Sequence, residues 1–487
     1  MIDRRANLKF LMINYINFIL LLFFLYLNFV TFYDVRMTGM VESLLDYYAI
    51  IGIIMVTWTF LIIYKEQKEI TLINIFLLML YLMAYGQIWT RYFYMPILQA
   101  IDIFKYESHL SGLKAIAYSQ VCCHFVFLIA YIKIVNKKQQ PNILKNSKSI
   151  PFSSSNNNFI LAGIILFSIG ILPSLYNDGL TIVTSIRYGY SLSNVDRTGI
   201  WDDLAMFLRP AYFMLLVGLY NDKRSSLYKL VYYSAISWEA LIMFFGGTRG
   251  FQITMIFALY WLDKKLRMGY VRFKAKEVFL AIAALTFLGL ITAYRRTPAS
   301  MWNINLILYS FISENYLIQM IAEFGSTLQT LIIAIDVIPR YSPFEYGLTY
   351  ILAPIMMLPN IGNIVLNISK NVFTNNILRS FTNFSIGGSF IAELYHNFGQ
   401  FGILFSGVFS IIISNISQIT FFGEKSNKIK LVVSAGLMST IPFLTRASLS
   451  ELVRITIIRT LVPYILMIFI TNKYPNNNSN NKALGLR

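Results

Sequence analysis

The sequence predicts an all-α polytopic membrane protein of about twelve transmembrane helices with one large extracytoplasmic loop. Three observations predict it: an apolar composition, recurring apolar runs of helix-spanning length, and basic residues that alternate between dense and sparse loops. Of 487 residues, 56% are hydrophobic and only 13% are charged, and the mean hydropathy is +0.59. A soluble domain carries roughly twice that charge. So little polar surface cannot coat a soluble globule, whereas lipid can cover it. Apolar runs of about 20 residues recur along the chain, the length that crosses the hydrocarbon layer. Backbone groups in lipid must bond within their own segment, so each run should be a helix. The 39 Phe and 32 Tyr suit a chain with many membrane interfaces.

Twelve spans are expected, near 10–30, 47–64, 71–89, 116–135, 158–175, 204–220, 229–245, 251–266, 277–294, 400–420, 430–445 and 455–471. The first follows Arg4, Arg5 and Lys9 and is too long for a signal-peptide core, so it should remain as an uncleaved helix. With this count the loops fall into two alternating sets. One set includes Arg4, Arg5 and Lys9; Lys65 and Lys68; Lys133, Lys137 and Lys138; Lys223 and Arg224; Lys264, Lys265 and Arg267; Lys425 and Lys428; and Lys473. Basic residues mark cytoplasmic loops, which places both termini on the cytoplasmic side.

The expected organisation is a transmembrane bundle over 1–294, a large extracytoplasmic loop over 295–399, a second bundle over 400–472 and a cytoplasmic tail over 473–487. The loop contains apolar stretches of its own at 316–338 and 348–366. Glu323, Gln329 and Asp336 interrupt the first, and Pro354, Pro359 and Gly362 the second. Both read as amphipathic or re-entrant helices on the outer leaflet.

The net charge of +18 does not indicate nucleic acid, because it sits in short loops where it sets topology. Cys122 and Cys123 lie together in an apolar run and form no disulfide framework or zinc spacing. No metal site, Walker loop or dinucleotide fingerprint is present, so no cofactor is expected.

Chemistry is therefore sought among polar residues at the outer surface. Arg187, Arg197, Arg249, Arg295, Arg296, Arg446 and Arg454 all fall there, and the guanidinium fork suits phosphate. Each could also snorkel or pair with Asp196, Asp202, Asp203 or Glu451. Arg249 stands out within Gly246-Gly247-Thr248-Arg249-Gly250, a glycine turn between two spans where a ligand can approach the backbone closely. A second constellation runs from Gly387 to Gly399. If Ala392 to Phe398 is helical, Glu393, His396 and Asn397 share a face, with a carboxylate and an imidazole able to take a hydroxyl proton. Glu239, inside the seventh span, either functions there or pairs with Arg459 in the last span. His124 reads as a core residue.

At these two motifs the chain resembles the Wzy-type oligosaccharide repeat-unit polymerases of O-antigen and capsule synthesis. The likeness rests on Gly247-Thr248-Arg249-Gly250 between two spans, then a long outer loop, then Ser389-Phe390-Ile391-Ala392-Glu393 and Asn397-Phe398-Gly399. The stretch from Tyr346-Gly347 to Pro359 is similar in style. The resemblance implies a glycosyltransferase that joins undecaprenyl-diphosphate-linked oligosaccharides on the outer face of the membrane. It implies membrane lipid and lipid-linked oligosaccharide as partners, with room for a chain-length regulator. The expected catalytic residues are Arg249 with Glu393 or His396. The expected substrate-binding set is Arg187, Arg197, Arg295, Arg296, Tyr395, Asn397 and Arg446. Two other readings share some of these features: an O-antigen ligase-like enzyme, and a flippase or transporter of the same lipid-linked unit. The long loop 295–399 argues against a flippase, which should have short loops on both faces.

Overall fold

The computed structural model describes residues 2–34, 39–95, 102–138, 155–189, 200–221, 225–246, 250–294, 298–303, 315–358, 372–382, 387–421 and 428–473, with 305, 309, 367, 368 and 372 placed singly or at segment ends. Of the described residues 86% are helical and none lies in a strand, so the all-α class holds. Eleven helices precede the long loop: α1 Ile2–Tyr33, α2 Val41–Gln67, α3 Leu72–Tyr92, α4 Ile103–Tyr106, α5 His109–Lys138, α6 Asn156–Tyr188, α7 Ile200–Ala205, α8 Leu208–Leu219, α9 Ser226–Phe245, α10 Gly250–Met268 and α11 Ala275–Tyr294. Then come α12 Tyr316–Gly325, α13 Leu328–Val337, α14 Leu348–Leu352, α15 Thr374–Arg379, α16 Phe390–Phe398, α17 Gly402–Phe421, α18 Lys428–Met438 and α19 Leu449–Lys473.

Among the described residues, nine segments are long and apolar enough to cross a bilayer. They are Phe10–Tyr33, Val41–Gln67, Leu72–Tyr92, His109–Asn136, Asn156–Tyr188, Tyr316–Val337, Phe390–Gln418, Lys428–Arg446 and Leu449–Lys473. Eight coincide with expected spans. The remaining expected spans are helical but less clear as crossings. The one at 204–220 breaks at Met206 and Phe207 into α7 and α8, and α10 carries Asp263, Lys264, Lys265 and Arg267 near its end.

Polar contacts gather the helix ends at two poles. At one pole Glu69, between α2 and α3, accepts from Lys265 at 2.8 Å, and Lys264 pairs with Glu277 of α11. Tyr228 of α9 donates to Asp263 at 2.9 Å, and Lys428 of α18 meets Asn156 of α6. Burial pushes the Glu69 carboxyl above its ordinary pKa, and Lys265 opposes this. At the other pole Arg91 and His109 both meet Glu42, and Asn28 of α1 donates to Gln400 at 2.8 Å.

The segment 316–338 departs from expectation. It does not lie on a lipid surface; α12 and α13 are buried in the bundle against α3, α5 and α11. The approach to α3 needs two glycines: a Cβ on Gly86 would strike the Ile321 carbonyl, and one on Gly325 would strike the Gln87 amide. The second helix of the pair meets the Arg91 pole, and the first starts against α11. Gly289 of α11 touches the Tyr316 backbone, Gln329 donates to Glu107 at 3.0 Å, and Ser111 donates to Asp336 at 2.7 Å.

The segment 390–418 is a hairpin. Gly399 adopts φ +56°, a conformation natural to glycine, and α16 folds back along α17. Phe398 stacks on Phe405 at 3.6 Å between ring centroids. Phe390, at the far end of α16, meets Phe409 at 5.2 Å and Phe76 of α3 at 6.0 Å. The expected span at 400–420 is α17, and α16, which leads into it, is buried in the bundle.

Candidate functional site

α16 is the hub of the site. Ser389 caps it, accepting from the Ala392 amide at 3.3 Å, and Phe390 to Asn397 are all buried. Its polar side chains each reach a different segment. Glu393 Oε2 accepts from the backbone N–H of Leu449, at the start of α19, at 2.8 Å. His396 Nδ1 meets the Thr374 hydroxyl of α15 at 2.9 Å. Asn397 donates to Thr349 at 2.7 Å and to the Glu393 carbonyl at 2.7 Å, and accepts from the Gly347 amide at 3.0 Å.

Asn397 therefore builds scaffold. Tyr346 and Gly347 have φ of +48° and +91°, and the amides of Glu345 and Tyr346 donate to the carbonyls of His396 and Asn397 at 3.1 and 2.9 Å. The left-handed turn explains the Tyr-Gly signature. Tyr395 packs among Tyr118 at 5.4 Å, Phe344 at 6.3 Å and Phe32 at 6.4 Å, which makes it a packing residue here. Burial raises the Glu345 carboxyl above its ordinary pKa.

Glu393 and His396 reach neighbouring segments, because Asn375 donates to Glu451 at 2.6 Å and so ties α15 to α19. Glu451 also accepts from the Ser448 amide at 3.2 Å. Around them, four buried polar atoms have no hydrogen-bond partner among the described residues: Glu393 Oε1, His396 Nε2, Tyr350 Oη and Asn375 Oδ1. Buried polar groups are ordinarily paired, so orphans gathered around one helix point to an absent water or ligand. Thr374, Asn375, Tyr350 and Glu451 were not singled out from sequence as site residues. They share no periodicity or spacing that would mark them.

Thr248 and Arg249 lie outside the described residues, as do Arg197, Arg295 and Arg296. The flanks of the glycine turn are described. A Cβ on Gly250 would strike the Phe443 ring, and Phe251 packs on Phe443 at 4.2 Å. Gly250, Thr254, Phe443, Glu323 and Arg446 line one small cavity. The 3-10 segment Ile441–Arg446 thus packs on Gly250 and Phe251, at the start of α10. Directly after it, Ala447 packs on Gly388 and Leu449 bonds Glu393. Residues 441–451 bridge the two sequence motifs.

Arg187 is exposed at the last turn of α6, and Arg454 pairs with Asp203. Glu239 does not pair with Arg459. It accepts from Arg209 Nε at 3.0 Å, and Arg209 also reaches Asp178 at 3.2 Å and Ser174 at 3.1 Å. His124 is buried and bonds the Asn17 carbonyl at 2.8 Å.

A family model described as O-antigen polysaccharide polymerase Wzy matches residues 12–479. No curated protein and no solved structure matches significantly.

Proposed function

Because the chain belongs to the O-antigen polysaccharide polymerase Wzy family, a multi-pass membrane family that polymerises oligosaccharide repeat units, we propose that it takes undecaprenyl-diphosphate-linked units on the outer face of the bacterial cytoplasmic membrane. In this reading the terminal hydroxyl of one lipid-linked unit attacks the anomeric carbon of a growing chain. The glycosidic C–O bond forms, the bond to undecaprenyl diphosphate breaks, and the diphosphate leaves with the electron pair. No nucleotide sugar is consumed.

The supporting observation is that Gly250, at the end of the Gly-rich motif, and α16 both pack on residues 441–451. In this reading that segment joins the arginine-bearing motif to the buried carboxylate and imidazole. Arg249 and Arg446 would balance charge developing on the leaving diphosphate. Glu393 Oε1 and His396 Nε2 are the unpartnered atoms able to take the hydroxyl proton. Arg187, Arg197, Arg295 and Arg296 would gather the anionic headgroup from the surface, and Asn397 would hold the Tyr346–Gly347 turn beside the acceptor. Family membership disfavours the ligase-like and transporter readings.

The test is the surface-polysaccharide ladder of a deletion strain complemented with variants. Arg249→Ala should reach the membrane at normal level yet yield single repeat units in place of long polymer. A normal ladder from that variant would remove Arg249 from the site. Units trapped on the inner leaflet would instead indicate transport.

A further inference from the structure

We infer that Glu451 is a positioning residue, a clasp that fixes the placement of Glu393 and His396 together; this rests on the reaction proposed above. Both of those side chains are wholly buried, and each is held by a segment outside its own helix. His396 Nδ1 meets the hydroxyl of Thr374, the first residue of α15. Glu393 Oε2 accepts from the amide of Leu449, the first residue of α19. The residues next to these two contacts, Asn375 and Ser448, both bond Glu451. Asn375 Nδ2 donates to its Oε1 at 2.6 Å, and the Ser448 amide donates to its Oε2 at 3.2 Å. One carboxylate thus joins the segment that holds His396 to the segment that holds Glu393.

α15 has only six residues. A helix that short does not persist alone, so its placement comes from its contacts. Phe373 before it and Leu378 within it are buried, but apolar burial carries no direction. The hydrogen bonds of Thr374 and Asn375 supply the direction. Helix capping explains only half of Glu451. Ser448-Leu449-Ser450-Glu451 has capping-box spacing, and the bond from the Ser448 amide satisfies one free donor at the start of α19. That bond uses one oxygen, and the other leaves α19 for Asn375. Both donors are neutral, so balancing a cation is not what the carboxylate does here. An amide in its place has a single oxygen and cannot accept both bonds. Proton transfer requires Glu393 Oε1 or His396 Nε2 within hydrogen-bond reach of the acceptor hydroxyl. A misplacement of about 1 Å can slow such a step about 100-fold.

The test uses the full-length protein in phospholipid nanodiscs, polymerising purified undecaprenyl-diphosphate-linked repeat units, with melting temperature measured alongside. Asn375→Ala opens the clasp and leaves the cap of α19 intact. It should melt close to wild type yet lose about 10–100-fold in kcat, with KM within about threefold. Glu451→Ala loses both clasp and cap. It should melt lower but lose kcat by the same factor, and the double variant should lose no more than that factor. A residue that only caps α19 would move the melting temperature and leave kcat alone. Wild-type kcat in Asn375→Ala overturns the inference, and so do losses that multiply in the double variant. Should Glu451→Ala fail to accumulate, Asn375→Ala decides on the same criterion. A wild type that polymerises no lipid-linked units is a different result: it removes the proposed reaction itself, and this inference with it.

Discussion

The two oxygens of Glu393 have different tasks. Oε2 holds the Leu449 amide, while Oε1 has no partner among the described residues. Glu393→Gln keeps an oxygen for that amide and so should preserve the fold. If the carboxylate takes the proton, kcat for polymerisation from purified lipid-linked units should fall roughly 10²–10⁴-fold with little change in KM. His396→Gln makes the complementary test, since an amide nitrogen or oxygen can still meet Thr374. A collapse of kcat in only one variant assigns the base to that residue, and wild-type rates in both would remove α16 from the chemistry. Asn397 belongs to a different class. Its bonds to Gly347, Thr349 and the Glu393 carbonyl hold a left-handed turn, so Asn397→Ala should lower the melting temperature in detergent, leaving the buried Gly347 amide donor unpaired at a cost of about 1–3 kcal/mol. A variant that melts like wild type but loses activity would give Asn397 a direct role in place of the structural one.

Elements are pinned by a few buried contacts, and those contacts make separate predictions. The Glu69–Lys265 pair joins the α2–α3 junction to the end of α10. Lys265→Met should destabilise the protein by about 3–5 kcal/mol near neutral pH, by leaving a carboxylate buried without its cation. Burial already holds Glu69 above its ordinary pKa, and loss of Lys265 raises it further. The folded state then binds a proton that the unfolded state has released, so stability falls as pH rises through the folded pKa and is regained as pH drops toward the ordinary carboxylate range. Thermal melts across pH check this. Glu69→Gln combined with Lys265→Met should be flat over the same window.

The same contacts show what sequence could and could not reveal. Span lengths were legible because about 20 apolar residues in lipid have few alternatives to a helix. The α16–α17 hairpin was not, since the sequence separates the 392–398 helix from the span at 400–420 but does not show that it folds back, which rests on Gly399 taking a positive φ and Phe390 meeting Phe409. Sequence named Glu239 and Arg459 inside spans but not Arg209 as the partner that Glu239 meets, because a pairing depends on which helix stands beside which. The two motifs were each visible, whereas the segment 441–451 that joins them has no pattern of its own and shows its importance only through contact.

At the scale of the whole molecule the argument turns on polarity. Contacts gather Glu69, Lys265, Lys264 and Lys428 at one pole, and Glu42, Arg91, Asp336 and Gln400 at the other. The first pole is flanked by the loops with dense basic residues, so the positive-inside rule predicts a cytoplasmic position for it. On the proposed reading the end of α13, with Tyr341 beyond it, would face the exterior, where a lipid-linked donor would arrive. Tyr341 and Tyr270 are both exposed and lie toward opposite poles. In a background lacking the two buried native cysteines, Cys122 and Cys123, a cysteine at 341 should react with a membrane-impermeant maleimide on intact spheroplasts. One at 270 should react only after permeabilisation. The opposite pattern would turn the molecule over, put the Gly-rich turn and residues 441–451 toward the cytoplasm, and leave the proposed reaction with its substrate on the wrong leaflet.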